Sequence, residues 1–355
     1  MEKRDNENYT VLVDIAEPDD KKVKKATKMP KKSKKQPVEL DEVLVEKETS
    51  AEGNAAPAED AKKKKKRRRR LGDRSDGRLL RTLEPAARIS PYIMHIRSDS
   101  QNHFEEEIDI TDIETYLREK RAEGYKNLGL LHIIIAAYVR AVSQRPGVNR
   151  FIAGNKVYAR NNIEVVMTIK KKLSTSAPDT TMKCIFEPTD TLFDVYEKWN
   201  AIVQQILNSG DDSDFDSTAK LINLIPGFLM KFAIKFLRFL DYIGMLPKAL
   251  LKVSPFHGSM VITSMGSLGI GPIYHHLYDF GNLPIFLCYG KKYSKIVLNE
   301  AGLPRKRSFV GFRAVTDERI CDGYYYASAF KAVMHSIKDP KSLETPPERV
   351  VEDID

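Results

Sequence analysis

Residues Ala314 to Phe330 read AVTDERICDGYYYASAF. The alternation that runs from Arg307 through Gly323 has the period of a strand, and YYYASAFKAVMHSIKDP after it has the spacing of a helix that Pro340 stops. The Asp322-Gly323 pair therefore stands at a strand-to-helix corner, with a second carboxylate, Glu318, four residues ahead of it. Helical spacing spreads Tyr324, Tyr325 and Tyr326 over more than one face, so at most two of them can line a common channel. Cys321 has no neighbouring base in the sequence and reads as a small buried residue.

Upstream of this corner the pattern mixes strands and helices without strict alternation. HFEEEIDI and the hairpin RFIAGNKVYARN read as strands, the latter turning at its Gly-Asn pair. IEVVMTIKKKL, TMKCIFEP, SMVITSMGSLG and PIFLCYGKKYSKIVL follow as further strands. DITDIETYLREKRAEGY reads as a helix with Thr111 as cap and Gly124 as stop. NLGLLHIIIAAYVRAVSQRP is apolar nearly all round and so predicts a buried helix. TLFDVYEKWNAIVQQILNS is a third helix, capped by Thr191 or Asp190. Together these elements predict an α+β fold, a mixed sheet flanked by helices.

The 355 residues, 42% hydrophobic, suffice for one large core or two modest ones. Residues 1–72 are different in kind. KKVKKATKMPKKSKK, an acidic stretch, an Ala/Pro/Glu spacer and KKKKKRRRR bury too little apolar surface to offset the entropy of ordering, which predicts a disordered tail. Most of the formal net charge of +9 sits there: residues 1–70 hold 21 Lys and Arg against 15 Asp and Glu. The run Lys62 to Arg70 fits an anionic membrane surface or a solvated linker. Without an aromatic or base-reading element beside it, charge alone does not make it a nucleic-acid interface. Cys184, Cys288 and Cys321 are odd in number and lack CxxC spacing, which argues against a disulfide framework and a metal site and for a reducing compartment. The amino terminus has no apolar core segment of the signal-peptide kind, and the chain reads as cytoplasmic.

Residues 215–254 form a segment rich in Leu, Ile and Phe, punctuated by Lys231, Lys235, Arg238 and Lys252 and broken at Pro226-Gly227 and Pro247. It is too interrupted to span a bilayer, which takes about 20 apolar residues in one helix. It reads either as an amphipathic helix at a membrane interface or over an acyl substrate, or as a helical hairpin packed on the domain or a neighbouring subunit.

In this order, HFEEEIDITDIETYLREKRAE, the buried helix with its hairpin, SMVITSMGSLGIG and DERICDGYYYASAF resemble the catalytic domain of the dihydrolipoamide acyltransferases of 2-oxoacid dehydrogenase complexes. The resemblance runs over residues 73–350. It implies a chloramphenicol acetyltransferase-like fold, a two-layer α/β sandwich with a mixed sheet, and a trimer with active sites between subunits. It also implies acyl transfer between a coenzyme A thioester and a thiol or hydroxyl acceptor, small or carrier-borne. By position, Thr263 falls at the oxyanion donor with Ser264 as the alternative, and Asp322 and Gly323 fall in the motif loop, the aspartate in a structural ion pair. Where the family has a histidine base, this chain has Glu318. His275 and His276, in GPIYHHLYDFG, are the other candidate bases. The lipoyl and subunit-binding domains of that family are not visible in residues 1–70, so no lipoyl attachment site is expected in this chain. Two functions compete: an acyltransferase, and a catalytically degenerate relative that serves assembly, membrane attachment or acyl-ligand binding.

Overall fold

The structure, a computed structural model, describes residues 69–170, 179–208 and 226–355. The tail up to residue 68 and residues 215–225 of the apolar segment lie outside the described residues. In chain order the strands are β1 (Gly77–Leu79), β2 (Gln101–Asp109), β3 (Arg150–Ala153), β4 (Lys156–Arg160), β5 (Ile163–Lys170), β6 (Asp179–Phe186), β7 (Met260–Ser264), β8 (Ile285–Leu298) and β9 (Pro304–Asp317). The helices are α1 (Pro85–Ile93), α2 (Thr111–Ala122), α3 (Leu130–Gln144), α4 (Leu192–Asn208), α5 (Gly227–Tyr242), α6 (Lys248–Val253) and α7 (Gly323–Lys338).

Six strands form a mixed sheet in the order β2-β9-β8-β7-β5-β6. β7 lies parallel to both β5 and β8, and the remaining pairs are antiparallel. Alternation along these strands sends Met260, Ile262, Leu287, Phe312 and Ala314 to one face, where α3 and α7 cover them. α3 is apolar on all sides because it is enclosed between the sheet, α4 and α7; Ile133, Ile134 and Ile135 are fully buried. The result is two layers, helices on sheet, as the resemblance implies.

A smaller sheet, β1-β4-β3, carries the hairpin. Gly154 and Asn155 both have φ of 54°, the left-handed conformation that a two-residue turn of this hand requires at both central positions. Thr111 differs from its expected role: it is the first helical residue of α2, and its N–H and hydroxyl both donate to Asp109, at 3.0 and 2.7 Å. Thr191 does cap α4, accepting from the Asp194 N–H while Asp194 accepts in return. β9 stops at Asp317 and does not run on to Gly323.

α5 is joined to this body at its last turn. Asp241 receives Arg74 Nη2 at 2.6 Å and lies 3.4 Å from His257 Nε2, and Arg74 is held in turn by Asp76. Burial pushes the Asp241 carboxyl up, but His257 and Arg74 outweigh it and hold it at about 2. Burial pulls the His257 imidazole below its ordinary value, against the opposing pull of Asp241.

Candidate functional site

The face of the large sheet opposite α3 and α7 carries Val261 and Thr263 of β7, Phe286 and Cys288 of β8, and Arg313 and Val315 of β9, since successive strand residues alternate sides. The segment 269–283 roofs this face. Pro272 is seated against Gly290 and Gly311, where a Cβ on residue 290 would lie 2.5 Å from the proline ring; glycine at 290 is what lets the roof come down. The N–H of Ile273 donates to Cys288 Sγ, Arg313 donates to the Pro272 carbonyl, and the guanidinium of Arg313 lies over Tyr274. Leu277 is buried with Phe286 and Val315 beneath it.

His275 lies in this roof with its ring stacked on Phe286, centroids 4.0 Å apart and planes within 8°. Its Nδ1 is 2.8 Å from the carbonyl oxygen of His276. A carbonyl only accepts, so Nδ1 carries the proton, and in the neutral ring Nε2 is left with the lone pair of a base. His276 is exposed and stacks on His275.

Thr263 and Ser264 point to opposite sides of the sheet. Thr263 is half-buried on the roofed face, in register with Cys288. Ser264 is in register with Tyr289, on the inner face. Of the two hydroxyls, Thr263 is therefore the one on the face that carries His275.

The turn after β9 is built on buried charge. Asp317, 1% exposed, accepts from Arg319 Nε at 2.8 Å and Nη2 at 2.7 Å, from Arg97 Nε at 3.3 Å and from the Ser100 hydroxyl at 3.2 Å. Arg319 also donates to the Met94 carbonyl, and Tyr326 donates from its phenol to the Asp317 carbonyl. Arg97 reaches the roof as well, through the Tyr278 carbonyl at 2.6 Å, while its N–H donates to Asp279. The motif turn and the histidine-bearing roof thus share one arginine.

On this turn Glu318 is exposed, its N–H donating to the Ser100 carbonyl. Asp322 makes no ion pair among the described residues. It caps α7, accepting from the Tyr325 N–H at 2.8 Å. The structural ion pair expected of Asp322 is made by Asp317, for a geometric reason. A side chain at the first residue before a helix is within reach of the free N–H groups of the first turn, whereas Asp317 ends a strand and faces two guanidiniums. Burial pushes the Cys321 thiol far above its usual range, which leaves it a buried, un-ionised residue. Of the three tyrosines, Tyr324 is exposed, Tyr325 accepts from the Gly147 N–H and Tyr326 is buried.

Sequence reasoning missed Arg97, Asp317 and Arg319. The only hint was opposite charges on either side of Glu318; no local pattern marks Arg97. An interior cavity of about 60 Å3, lined by Tyr138, Met260, Leu287, Thr316, Tyr326 and Met334, lies on the other side of the sheet from Thr263 and His275. Among the described residues no group of three His, Cys, Asp or Glu side chains is placed to hold a metal ion.

Fold and site together define a two-layer α+β protein with a six-stranded mixed sheet and a roofed outer face. No family model and no curated protein matches the sequence. Among solved structures, the fold is similar to a probable dihydrolipoamide acetyltransferase from Listeria monocytogenes 4b F2365, at 15% identity and a TM-score of 0.48 over 72% of this chain and 89% of that one. It is similar to a dihydrolipoamide acetyltransferase of Azotobacter vinelandii, at 13% identity and a TM-score of 0.46 over 73% and 88%. A chloramphenicol acetyltransferase matches at 14% identity and a TM-score of 0.45 over 72% and 96%.

Proposed function

We propose that this chain is an acyltransferase that moves an acyl group between a coenzyme A thioester and a thiol or hydroxyl acceptor. The observation that carries this reading is that a hydroxyl, Thr263, and an imidazole, His275, lie on the same roofed face of the sheet. In the forward step the acceptor S–H or O–H gives its proton to the base, and the acceptor sulfur or oxygen attacks the thioester carbonyl. The Thr263 hydroxyl donates to the oxyanion that forms. Collapse breaks the carbon–sulfur bond, and the leaving coenzyme A thiolate takes the proton back. Asp322 and Gly323 set the start of α7, Ser264 stays on the inner face, and Glu318 and His276, both exposed, are the alternative bases. An exposed glutamate gains basicity only when apolar surface closes over it, and in this proposal a second subunit of a homotrimer supplies that surface. The acceptor is small or carrier-borne. The chain works in the cytoplasm, peripheral to a membrane through residues 215–254 and the basic tail.

The competing reading, a degenerate relative that keeps the fold for assembly, membrane attachment or acyl-ligand binding, has the exposure of Glu318 in its favour. Thiol release from a panel of acyl-coenzyme A thioesters, followed with the purified full chain and a small dithiol acceptor, separates the two. Turnover that falls at least ~10²-fold in Glu318→Gln or His275→Asn identifies the base, that being the typical contribution of a general base. Turnover that survives both variants refutes the base assignments, and no turnover with any thioester leaves the degenerate reading.

A further inference from the structure

α5 has three faces. At 3.6 residues per turn, Met230, Ile234, Leu237 and Asp241 share the side turned toward the body, and none of them is exposed. Phe228, Phe232, Phe236 and Phe239 share a second side and are 73%, 69%, 49% and 56% exposed. Phe232 and Phe236 stack on each other, at 6.4 Å between centroids, and on no other described ring. Lys231, Lys235 and Arg238 run along the third side. Ile243 and Met245 extend the apolar stripe past the helix end, also exposed.

The charges say what covers the stripe. Residues 226–254 contain five cations, Lys231, Lys235, Arg238, Lys248 and Lys252, and one acid. That acid is Asp241, which is buried against Arg74. The four lysines are exposed and are in no ion pair among the described residues. The outward surface of residues 226–254 is therefore aromatic and cationic, with no carboxylate among the described residues. A second copy of the same helix laid against it would oppose cations with cations, whereas a plane of phosphates above hydrocarbon complements both features. No helix among the described residues is long and apolar enough to cross a membrane.

We infer that α5 is an in-plane docking helix for anionic lipid. Its four phenylalanines enter the boundary between headgroups and acyl chains, to the depth of about 5–10 Å that such helices reach. Lys231 and Lys235 face the lipid phosphates, and the Asp241–Arg74 contact fixes the body to the docked helix. Arg238 also lies 6.0 Å from the ring of Phe280, in the roof segment that carries His275, which places the roofed face next to the membrane-proximal side. The inference rests on the membrane-peripheral part of the proposed function and adds the lipid charge and the residues; acyl transfer is independent of it.

The test is flotation of the full chain with vesicles of equal parts phosphatidylcholine and phosphatidylglycerol, and with vesicles of phosphatidylcholine alone. The full chain is expected on the anionic vesicles only. Phe232→Ser/Phe236→Ser, with the Lys62–Arg70 run intact, lowers the bound fraction at least ~10-fold, because the apolar contact is lost while the tail is unchanged. Lys231→Gln/Lys235→Gln weakens the preference for anionic lipid, and the Lys62–Arg70 run retains the rest of it. Phe232→Trp places a reporter whose emission moves to shorter wavelength on anionic vesicles. Three outcomes overturn the inference: no flotation of the full chain, undiminished flotation of the double Phe variant (which makes the tail the lipid ligand), or loss of a soluble oligomer in that variant (which makes a protein copy the occupant). Thioester turnover of the same preparations in the absence of vesicles reports separately on acyl transfer.

Discussion

The turn after β9 buries charge, and α5 exposes hydrocarbon; each reverses the ordinary placement, and they do so with opposite degrees of fixation. At the turn, one carboxylate and two guanidiniums, each no more than 5% exposed, are locked to one another and to backbone carbonyls. On α5 Phe232 and Phe236 stack on no other described ring, and the buried Asp241, held by Arg74 and beside His257, ties down the last turn. A buried charge cluster is conserved in position by its own geometry, since any displacement strands a charge in the interior. An exposed aromatic stripe has no such internal constraint, and under the docking inference its placement answers to a surface outside the chain.

The comparison breaks most visibly at Asp317. Asp317→Asn leaves Arg97 and Arg319 buried without a counter-charge, and the expected loss is about 3–5 kcal/mol, the usual result of removing one member of a buried ion cluster. Chemical denaturation measures it. A loss under about 1 kcal/mol would mean that the turn is solvated and that the two arginines carry no structural charge burden.

A second buried titratable group sharpens the contrast by pH. His132 on α3 is 5% exposed, with Nδ1 accepting from the Gly129 N–H, and burial holds its pKa at about 4. The folded value lies below the ordinary 6.5, so between about pH 6.5 and pH 4 the unfolded chain binds more protons and stability rises with pH. The stability this provides is complete above about pH 6.5 and is lost as pH falls through the folded pKa, about 3 kcal/mol in all. In His132→Gln, unfolding curves taken across that window should lose that part of their pH slope. An unchanged slope would assign it elsewhere.

How much of this was readable beforehand depends on range. The Gly154-Asn155 turn, the all-round apolar α3 and the Thr191 cap are decided by neighbours within a few residues, and each was legible. The parity that separates Thr263 from Ser264 is likewise local, but which side carries the site depends on the roof, and the roof is placed by contacts with Gly290 and Gly311. The cluster at Asp317 was illegible because its third member, Arg97, is 220 residues away and charged side chains read by default as solvated. Asp322 was assigned an ion pair through resemblance, although its position one residue before a helix already implied a cap. In α5 the amphipathic spacing was plain, but which of its faces would be turned outward followed only from the burial of Asp241.

The anchor of α5 comes next in size. Asp241→Asn keeps the shape and removes the charge opposite Arg74, with an expected loss of about 2 kcal/mol, in the range of hydrogen bonds to charged groups. Because the Asp241 pKa is held at about 2, below the ordinary carboxylate value, its contribution is present above about pH 4 and disappears as pH falls toward 2. Hydrogen exchange locates the effect. Amides of residues 227–253 should exchange faster while those of β8 and β9 keep their protection, since the helix is attached to the body at this end. Uniform loss of protection would show that the anchor belongs to the global core.

The smallest effect is the most discriminating. Phe232→Ser removes a large apolar side chain, and in a core such a truncation costs about 3–5 kcal/mol. Phe232 is 69% exposed, so the folded protein gives up little buried area, and the change should stay within about 0.5 kcal/mol in solution, the range of ordinary surface substitutions. Ser and Phe are about equal as helix formers, so propensity adds little to the change. A near-zero change in thermal midpoint together with a large loss of vesicle binding is what an outward-facing docking stripe requires. A change of several kcal/mol would mean that Phe232 is already covered in solution, and the only surface then available to cover it would be protein.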